Sequence, residues 1–417
     1  MANFTKETFT KRMFSLETFP LEKKRVLVRV DFNLPLKGKK IADSSKIEAT
    51  LPTLNFLFKK ECVVILATHL GQPQGKVVEA WRTDILAREL QNFLPHHKVW
   101  KLYDCIGKGV RDCLQQNSSP RNLFLLENLR FYREEEENDP LFAQALGSLA
   151  EVYVNDAFAV SHRRHASIDA ITQFLPGVAG LLLQKEIRFL SKALQPERPA
   201  IWIMGGAKLD KLDLVSRALQ KADQILLGGA LPFAFLKAQG IPIGMSKTDS
   251  SSVEQAGRIL KSNPSKKIIF PVDYAVTDKI SPRAKKWIRS YNYIKTNEIA
   301  LDLGPKTIAT YKTILQGAKT IFWNGPLGYF EYAQFSHATR EIGNFVGTLK
   351  ATSICGGGET AEALHKLHLE YKVTHLSTGG GAALEFLSGK KLPGLTALER
   401  NYKQWRRKIK PSLIRPA

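Results

Sequence analysis

The chain has 417 residues, 44% hydrophobic and 24% charged, which is enough apolar material for two cores and a length that suggests two or three domains. Collagenous, low-complexity and disordered classes are excluded by this composition, and no apolar run is long enough to cross a bilayer. The formal net charge of +22 would draw nucleic acid, an anionic membrane surface or anionic metabolites alike, so charge alone does not choose a partner.

The first nineteen residues lack the apolar stretch of a secretory signal and include Glu7 and Glu17, so the expected location is the cytoplasm. Cys62, Cys105, Cys113 and Cys355 show no C-x-x-C spacing, which fits a reducing compartment better than disulfides or a metal clip. Strands are predicted at RVLVRVDF (from Arg25), CVVILATH (from Cys62), LFLLEN (from Leu123) and VYVND (from Val152). Further strands are predicted at AIWIM (from Ala200), DQILL (from Asp223), KIIFPV (from Lys267), TIFW (from Thr320), TSIC (from Thr352) and VTHLST (from Val373). Their almost unbroken apolar character suits strands covered on both faces, and the amphipathic stretches between them imply βαβ units. The expected fold is α/β, with two doubly wound, Rossmann-like parallel-sheet domains. Leu182, Leu183, Ile187, Leu190 and Leu194 form a helical stripe closed by Pro196 and Pro199, predicting one helix that joins the domains. The expected partition is 1–180, a hinge helix at 181–198, 199–398, and a basic tail at 399–417.

That tail, ERNYKQWRRKIKPSLIRPA, offers Tyr402 and Trp405 for stacking on nucleic acid. A solvated terminus is the simpler reading, and nucleic acid is not the favoured partner.

Ligands of open parallel sheets bind beyond the carboxyl ends of the strands. The first four strands end in Asp31 and Asn33, in His69-Leu70-Gly71, in Glu127-Asn128 with Arg130, and in Asn155-Asp156 with His162 and Arg163. The later ones end in GGAK (Gly205 to Lys208), GGA (Gly228 to Ala230), PVD (Pro271 to Asp273), NGPLG (Asn324 to Gly328), GGGET (Gly356 to Thr360) and STGGGA (Ser377 to Ala382). The first half thus presents forked cations for a small polyanion, and the second presents bare backbone before helices, which suits nucleotide phosphates. Together they suggest phosphoryl transfer, where catalysis is mostly positioning and charge neutralisation. Each piece also has a plainer reading: a glycine pair serves any tight turn, Arg130 and Arg163 could be ion-pair residues, and REEEEND (Arg133 to Asp139) reads as a solvated loop. The pairs His96/His97, His162/His165 and His365/His368 lack convergent cysteines or carboxylates, so zinc is not expected.

As a set, VRVDFNLPL, HLGQPQG, LLENLRFYREEE, YVNDAFAVSHRRHAS, GGAKLDKL, LDLGPKT, WNGPLGYFE, GGGET and STGGGAALEFLSGKKLPGLTAL resemble the phosphoglycerate kinase family, in order from about Arg25 to Leu398. The resemblance implies domain closure and reversible phosphoryl transfer between 1,3-bisphosphoglycerate and ADP, giving 3-phosphoglycerate and ATP, with Mg²⁺ accompanying the nucleotide. It implies that Asp31, Phe32, Asn33, Lys46, His69, Leu70, Gly71, Gln72, Arg130 and Arg163 hold the phosphoglycerate, with Lys208, Arg163 and Lys46 catalytic. Gly206, Lys211, Gly228, Gly229, Asn324, Pro326, Glu331, Gly357, Gly358, Glu359 and Thr360 would hold the nucleotide, Glu359 facing its metal. A monomer without membrane contact is expected.

Five features depart from the family: Lys46 and Gln72 stand where it has arginine, Ala159 where it has glycine, Glu359 where it has aspartate, and one residue is missing between Lys208 and Lys211. They raise an alternative, a divergent low-activity or non-catalytic polyanion-binding or nucleic-acid-binding protein on the same fold. Lys46 and Gln72 also leave room for a kinase of another small anionic metabolite.

Overall fold

The computed structural model describes residues 12–38, 40–208, 211–262 and 266–409. The chain divides into two compact units, Met1–Arg188 with Lys391–Ala417, and Phe189–Lys390. Both are α/β.

The main sheet of the first unit has seven strands: β1 (Phe14–Ser15), β2 (Arg25–Arg29), β3 (Val63–Ala67), β4 (Lys98–Lys101), β5 (Asn122–Leu125), β6 (Val152–Asn155) and β7 (Gly177–Ala179). Their order is β1-β7-β6-β2-β3-β5-β4 and every pairing is parallel. Alternate residues Val26, Val28, Val64, Leu66, Leu123, Leu125, Val152 and Val154 enter one core cluster with Ile47, Leu54 and Leu57 of helix Ser45–Lys59 and Leu86 and Leu90 of helix Asp84–Phe93. Each such side chain contributes about 1.5–3 kcal/mol by leaving water. The four predicted strands correspond to β2, β3, β5 and β6. Strands β1, β4 and β7 are additional: two are very short, and β4, KVWK, carries a lysine at each end of an edge strand, so neither shows an apolar run.

Helix α1 (Leu181–Leu194) spans the boundary between the units, which falls at Arg188/Phe189. Its first N–H groups are satisfied by the first unit: Leu182 and Leu183 donate to Asp156 Oδ1 (2.9 and 3.2 Å) and Leu181 donates to Thr53 Oγ1 (3.0 Å). Asp156, read from the sequence as part of a ligand-facing strand end, is therefore a helix cap.

The second unit has six parallel strands, β8 (Ala200–Met204), β9 (Gln224–Leu227), β10 (Ile268–Ile269), β14 (Thr320–Asn324), β15 (Thr352–Gly356) and β16 (His375–Leu376), ordered β10-β9-β8-β14-β15-β16. A separate antiparallel sheet, ordered β12-β11-β13, comprises β11 (Asp273–Thr277), β12 (Trp287–Ser290) and β13 (Ile299–Leu303). The predicted strand KIIFPV is cut short, because Pro271 has no N–H to give a ladder and the chain leaves the parallel sheet there. Asp273, at the end of that run, does not face a ligand edge. It accepts from Thr307 N (2.8 Å), Thr307 Oγ1 (2.6 Å) and Lys306 N (3.1 Å), capping helix Pro305–Leu315.

Asp302 on β13 is 3% exposed and accepts from Leu303 N (2.9 Å) and Ala338 N (3.2 Å); burial, outweighing those bonds, pushes its carboxyl up to about 7. A folded-state value above the unfolded one means that its contribution is full below pH ~4 and is lost as pH rises through ~7. Against Asp302→Asn, the wild type should therefore lose up to about 4 kcal/mol of relative stability between pH 4 and 7.5. Denaturant unfolding at several pH values checks this, and a pH-independent difference would contradict it.

Helix α2 (Gly358–Lys366) follows β15, and helix α3 (Pro393–Trp405) packs on the first unit. Asn401 is fully buried: its Nδ2 donates to the Thr172 and Leu175 carbonyls (2.6 and 2.7 Å) and its Oδ1 accepts from Gly177 N (2.7 Å). Arg400 pairs with Asp169 (2.6 Å), and Tyr402 packs edge-on against Phe14 with ring centroids 4.8 Å apart. The expected boundary at 399 thus falls inside a docked helix, whose Tyr402 and Trp405 pack on the core rather than standing free for bases. Residues 410–417 of the tail lie outside the described residues. No helix among the described residues is long and apolar enough to cross a membrane.

Candidate functional site

Each unit carries its polar groups on loops that leave the carboxyl ends of its parallel strands. In the first unit, Asp31 and Asn33 follow β2, His69 to Gln72 follow β3, and Arg130 follows β5. Asn33 Oδ1 accepts from Gly71 N (2.9 Å), and Arg130 donates to the Gly71 carbonyl (2.8 Å), so three loops meet at Gly71. Gly71 has φ +65°, and a Cβ there would fall 2.5 Å from the Trp81 ring, so the close approach needs glycine. Asn128 completes the arrangement: its Oδ1 accepts from Leu70 N (3.3 Å) and Arg130 N (3.1 Å), while its Nδ2 donates to the Leu70 carbonyl (2.7 Å). Phe32 is buried, its N–H donating to Thr68 Oγ1 (3.0 Å), and Gln72 is exposed. Glu127 is consumed within the fold by Thr83 N (3.0 Å), Asn128 N (2.9 Å), Arg82 (2.9 Å) and Lys101 (3.0 Å).

The electrostatics are those of a crowded cationic floor. Lys46 donates to Asp31 Oδ2 (2.8 Å) and to the Asn33 carbonyl (3.1 Å). Burial alone would raise the Asp31 carboxyl, but the Lys46 charge and hydrogen bond, with the charge of Arg29, hold it well below the usual carboxylate range. Beneath lies Arg29, 1% exposed, which the sequence reading passed over although an arginine inside an apolar strand is a visible signal. It donates to Ser167 Oγ (2.8 Å) and the Val30 carbonyl and lies 3.9 Å from Glu135 Oε1. Its NH2 is 3.3 Å from His69 Nδ1, and since a guanidinium only donates, Nδ1 accepts and the ring proton sits on Nε2. Burial, opposed by Asp31 but reinforced by Arg29, Arg130 and Lys46, keeps His69 well below the ordinary histidine value and hence neutral at pH 7. Glu135, expected in a solvated loop, is fully buried instead, accepting from Ser167 N (2.9 Å) and Oγ (2.6 Å).

Arg130 is 2% exposed, with Glu136 Oε1 3.4 Å from its Nε. Burial first, then the charges of Arg163 and Arg29, push its guanidinium down to about 10. Two neighbouring arginines that cost each other free energy are the arrangement an incoming polyanion relieves. Ala159 lies in a single 3₁₀ turn, Phe158–Val160, with an ordinary negative-φ backbone, so nothing there demands glycine.

In the second unit, the glycine turns are stitched to one another. Gly205 N donates to the Asn324 carbonyl (2.7 Å), Gly206 N to Pro326 O (2.7 Å), Gly228 N to Met204 O (2.8 Å) and Gly229 N to Leu327 O (3.0 Å). A Cβ on Gly205 would lie 2.3 Å from the buried Pro326's carbonyl oxygen. These N–H groups are engaged within the protein, so Gly206, Gly228 and Gly229 shape a floor and do not offer donors.

The donors are at α2. Its N-cap, Gly357 (φ +97°), supplies no side-chain cap, and open space lies above Gly358, where an added Cβ would meet nothing within 4 Å. Thr360 Oγ1 braces the turn, accepting from Gly325 N (2.6 Å) and donating to the Gly356 carbonyl (2.7 Å). Asn324 donates to the same carbonyl (2.6 Å), and its fully buried Oδ1 has no partner. Lys211, 7% exposed, donates to the Gly205 carbonyl (3.0 Å) and Glu359 Oε2 (2.9 Å). Glu331 is exposed, its carbonyl accepting from Lys366 (2.9 Å) in the last turn of α2, away from Gly358. Lys208 is exposed after β8, and the shortened stretch at 209–210 lies outside the described residues. No group of three or more His, Cys, Asp or Glu among the described residues could hold a metal unaided.

An acceptor edge lined by cations and a second edge built round a bare helix N-terminus define a phosphotransferase of α/β class. The family model described as phosphoglycerate kinase matches residues 16–390. The chain is 44% identical over 388 residues to the phosphoglycerate kinase of Moorella thermoacetica, spanning 92% of this chain and 98% of that protein. It is 45% identical over 394 residues to that of Dictyoglomus turgidum, spanning 93% and 99%. Among solved structures, phosphoglycerate kinase from Coxiella burnetii aligns with a TM-score of 0.84 at 35% identity, covering 94% of this chain and all of that one. The chain belongs to the phosphoglycerate kinase family.

Proposed function

We propose that the chain transfers a phosphoryl group reversibly between 1,3-bisphosphoglycerate and ADP, giving 3-phosphoglycerate and ATP. The observation that carries this reading is the buried Arg130, crowded by Arg163 and Arg29 with Glu136 Oε1 3.4 Å from its Nε as a partial counter-charge, an arrangement that an incoming anion relieves. Arg130 and Arg163 hold the phosphate of 3-phosphoglycerate. Asp31, Asn33 and the Nε2–H of neutral His69 orient its hydroxyl and carboxylate, and Phe32, Leu70, Gly71 and Gln72 wall the site. The acceptor carboxylate is ionised near neutrality, so no general base is needed. In the second unit, the N–H groups at Gly357 to Thr360 receive nucleotide phosphates, Lys211 pairs with them, Glu331 contacts the ribose, and Gly206, Gly228, Gly229, Asn324 and Pro326 form the floor. Lys208 neutralises charge on the phosphoryl group in transit. Lys46 acts by fixing Asp31 and Asn33 and by adding positive charge.

A single carboxylate beside a bare helix N-terminus fits a Mg²⁺ whose other ligands are phosphate oxygens and water, and Glu359 is that carboxylate. Bound there, Mg²⁺ would neutralise phosphate charge. The enzyme is read as a cytoplasmic monomer. Purified protein incubated with 3-phosphoglycerate, ATP and Mg²⁺, with product formation coupled to NADH oxidation, should show turnover; a rate no higher than that of Lys208→Ala would overturn the proposal.

A further inference from the structure

We propose that Glu359 serves as an internal counter-ion for Lys211 and thereby makes the nucleotide half of the site select metal-bound over metal-free nucleoside diphosphate. This rests on the nucleotide reading above and assigns Glu359 a task separate from touching the metal.

The Lys211 ammonium is nearly buried, and its partners among the described residues are the Gly205 carbonyl at 3.0 Å and Glu359 Oε2 at 2.9 Å. The pair lies directly on the backbone of Gly206, whose φ is +93° and where a Cβ would sit 2.4 Å from both Oε2 and Nζ. The contact is therefore built into the turn. A carboxylate one methylene shorter would reach less far from the first turn of α2, so the glutamate in this chain suits the longer span.

A diphosphate arriving at the α2 N-terminus offers Lys211 a new counter-charge and so displaces Glu359. Without a metal, the freed carboxylate faces phosphate oxygens of the same sign, which weakens binding by about tenfold or more. With a divalent cation on the phosphates, the same carboxylate gains a counter-charge. Glu359 thus penalises the metal-free ligand and not the metal-bound one.

The test is isothermal titration calorimetry of the full chain with ADP, in excess MgCl₂ and in EDTA. The wild type should bind metal-free ADP at least about tenfold more weakly than magnesium-ADP. Glu359→Gln should bind metal-free ADP about tenfold more tightly than the wild type does, collapsing the ratio from that side. Glu359→Asp, which keeps the charge but reaches less far towards Lys211, should give a ratio between those of the wild type and Glu359→Gln. A carboxylate that only contacts the metal predicts the opposite pattern for Glu359→Gln, with magnesium-ADP weakened and metal-free ADP unchanged; that result overturns the proposal. Equal wild-type affinities with and without magnesium also overturn it, whatever the variants' folding. Failure of the wild type to bind magnesium-ADP at all would instead overturn the nucleotide reading, and this inference with it.

Discussion

Replacing Arg130 with methionine is expected to lower kcat/KM for 3-phosphoglycerate by about 10²–10³-fold, the equivalent of one or two charge-assisted hydrogen bonds, while leaving the KM for ATP nearly unchanged. The stability readout should move differently. The charged guanidinium is disfavoured in the folded protein by burial and by Arg163 and Arg29, so a neutral side chain of similar length should not lower the ligand-free melting temperature. What should disappear is the upward shift of melting temperature that 3-phosphoglycerate is expected to produce in the wild type. Steady-state kinetics and thermal melts with and without that ligand check both parts. A large fall in ligand-free stability with unchanged kcat/KM would show Arg130 to be an ordinary structural cation held by Gly71 and Glu136.

Lys208→Ala should lower kcat by about 10²–10³-fold, with KM for both substrates within a few-fold of wild type, because a charge that acts on the transferring group adds little to ground-state binding. Lys208 is exposed and follows β8 and the stitched Gly205 and Gly206, so its loss should leave the packing of the described residues intact. Lys211→Ala provides the contrast. Lys211 is buried against the Gly205 carbonyl and Glu359, so its removal should raise KM for ATP and also destabilise the second unit. A matching rise of KM in Lys208→Ala would place it in binding.

What was legible in the sequence follows the physics of each signal. Strands such as VVILA and AIWIM are covered on both faces and appear as unbroken apolar runs. Strand β4 could not be read that way, because Lys98 covers Trp100 with its ammonium 3.8 Å from the ring centroid, and an edge strand tolerates such a side chain. Strand β12 of the antiparallel sheet gave no apolar run, since the residues of WIRS are half-buried or exposed in turn. At the candidate site, glycine and arginine motifs marked loops that the structure places at strand ends, yet they did not tell open N–H groups from engaged ones: Gly206, Gly228 and Gly229 have spent their N–H groups on neighbouring carbonyls, and the open N-terminus is at Gly358. Arg29, Ser167 and Glu135 form one buried group across more than a hundred residues of sequence, a relation that spacing cannot display.

The return of α3 to the first unit also sets an order of maturation during synthesis. Strands β1 to β7 are made before Asn401, the residue whose side chain pairs with Gly177 N and with the carbonyls of Thr172 and Leu175. The second unit is one uninterrupted stretch, Phe189–Lys390, and can close as soon as it emerges. The half that begins first is therefore completed last. A nascent chain halted before Asn401 carries a second unit whose residues are all made, attached to a first unit with one seam still open.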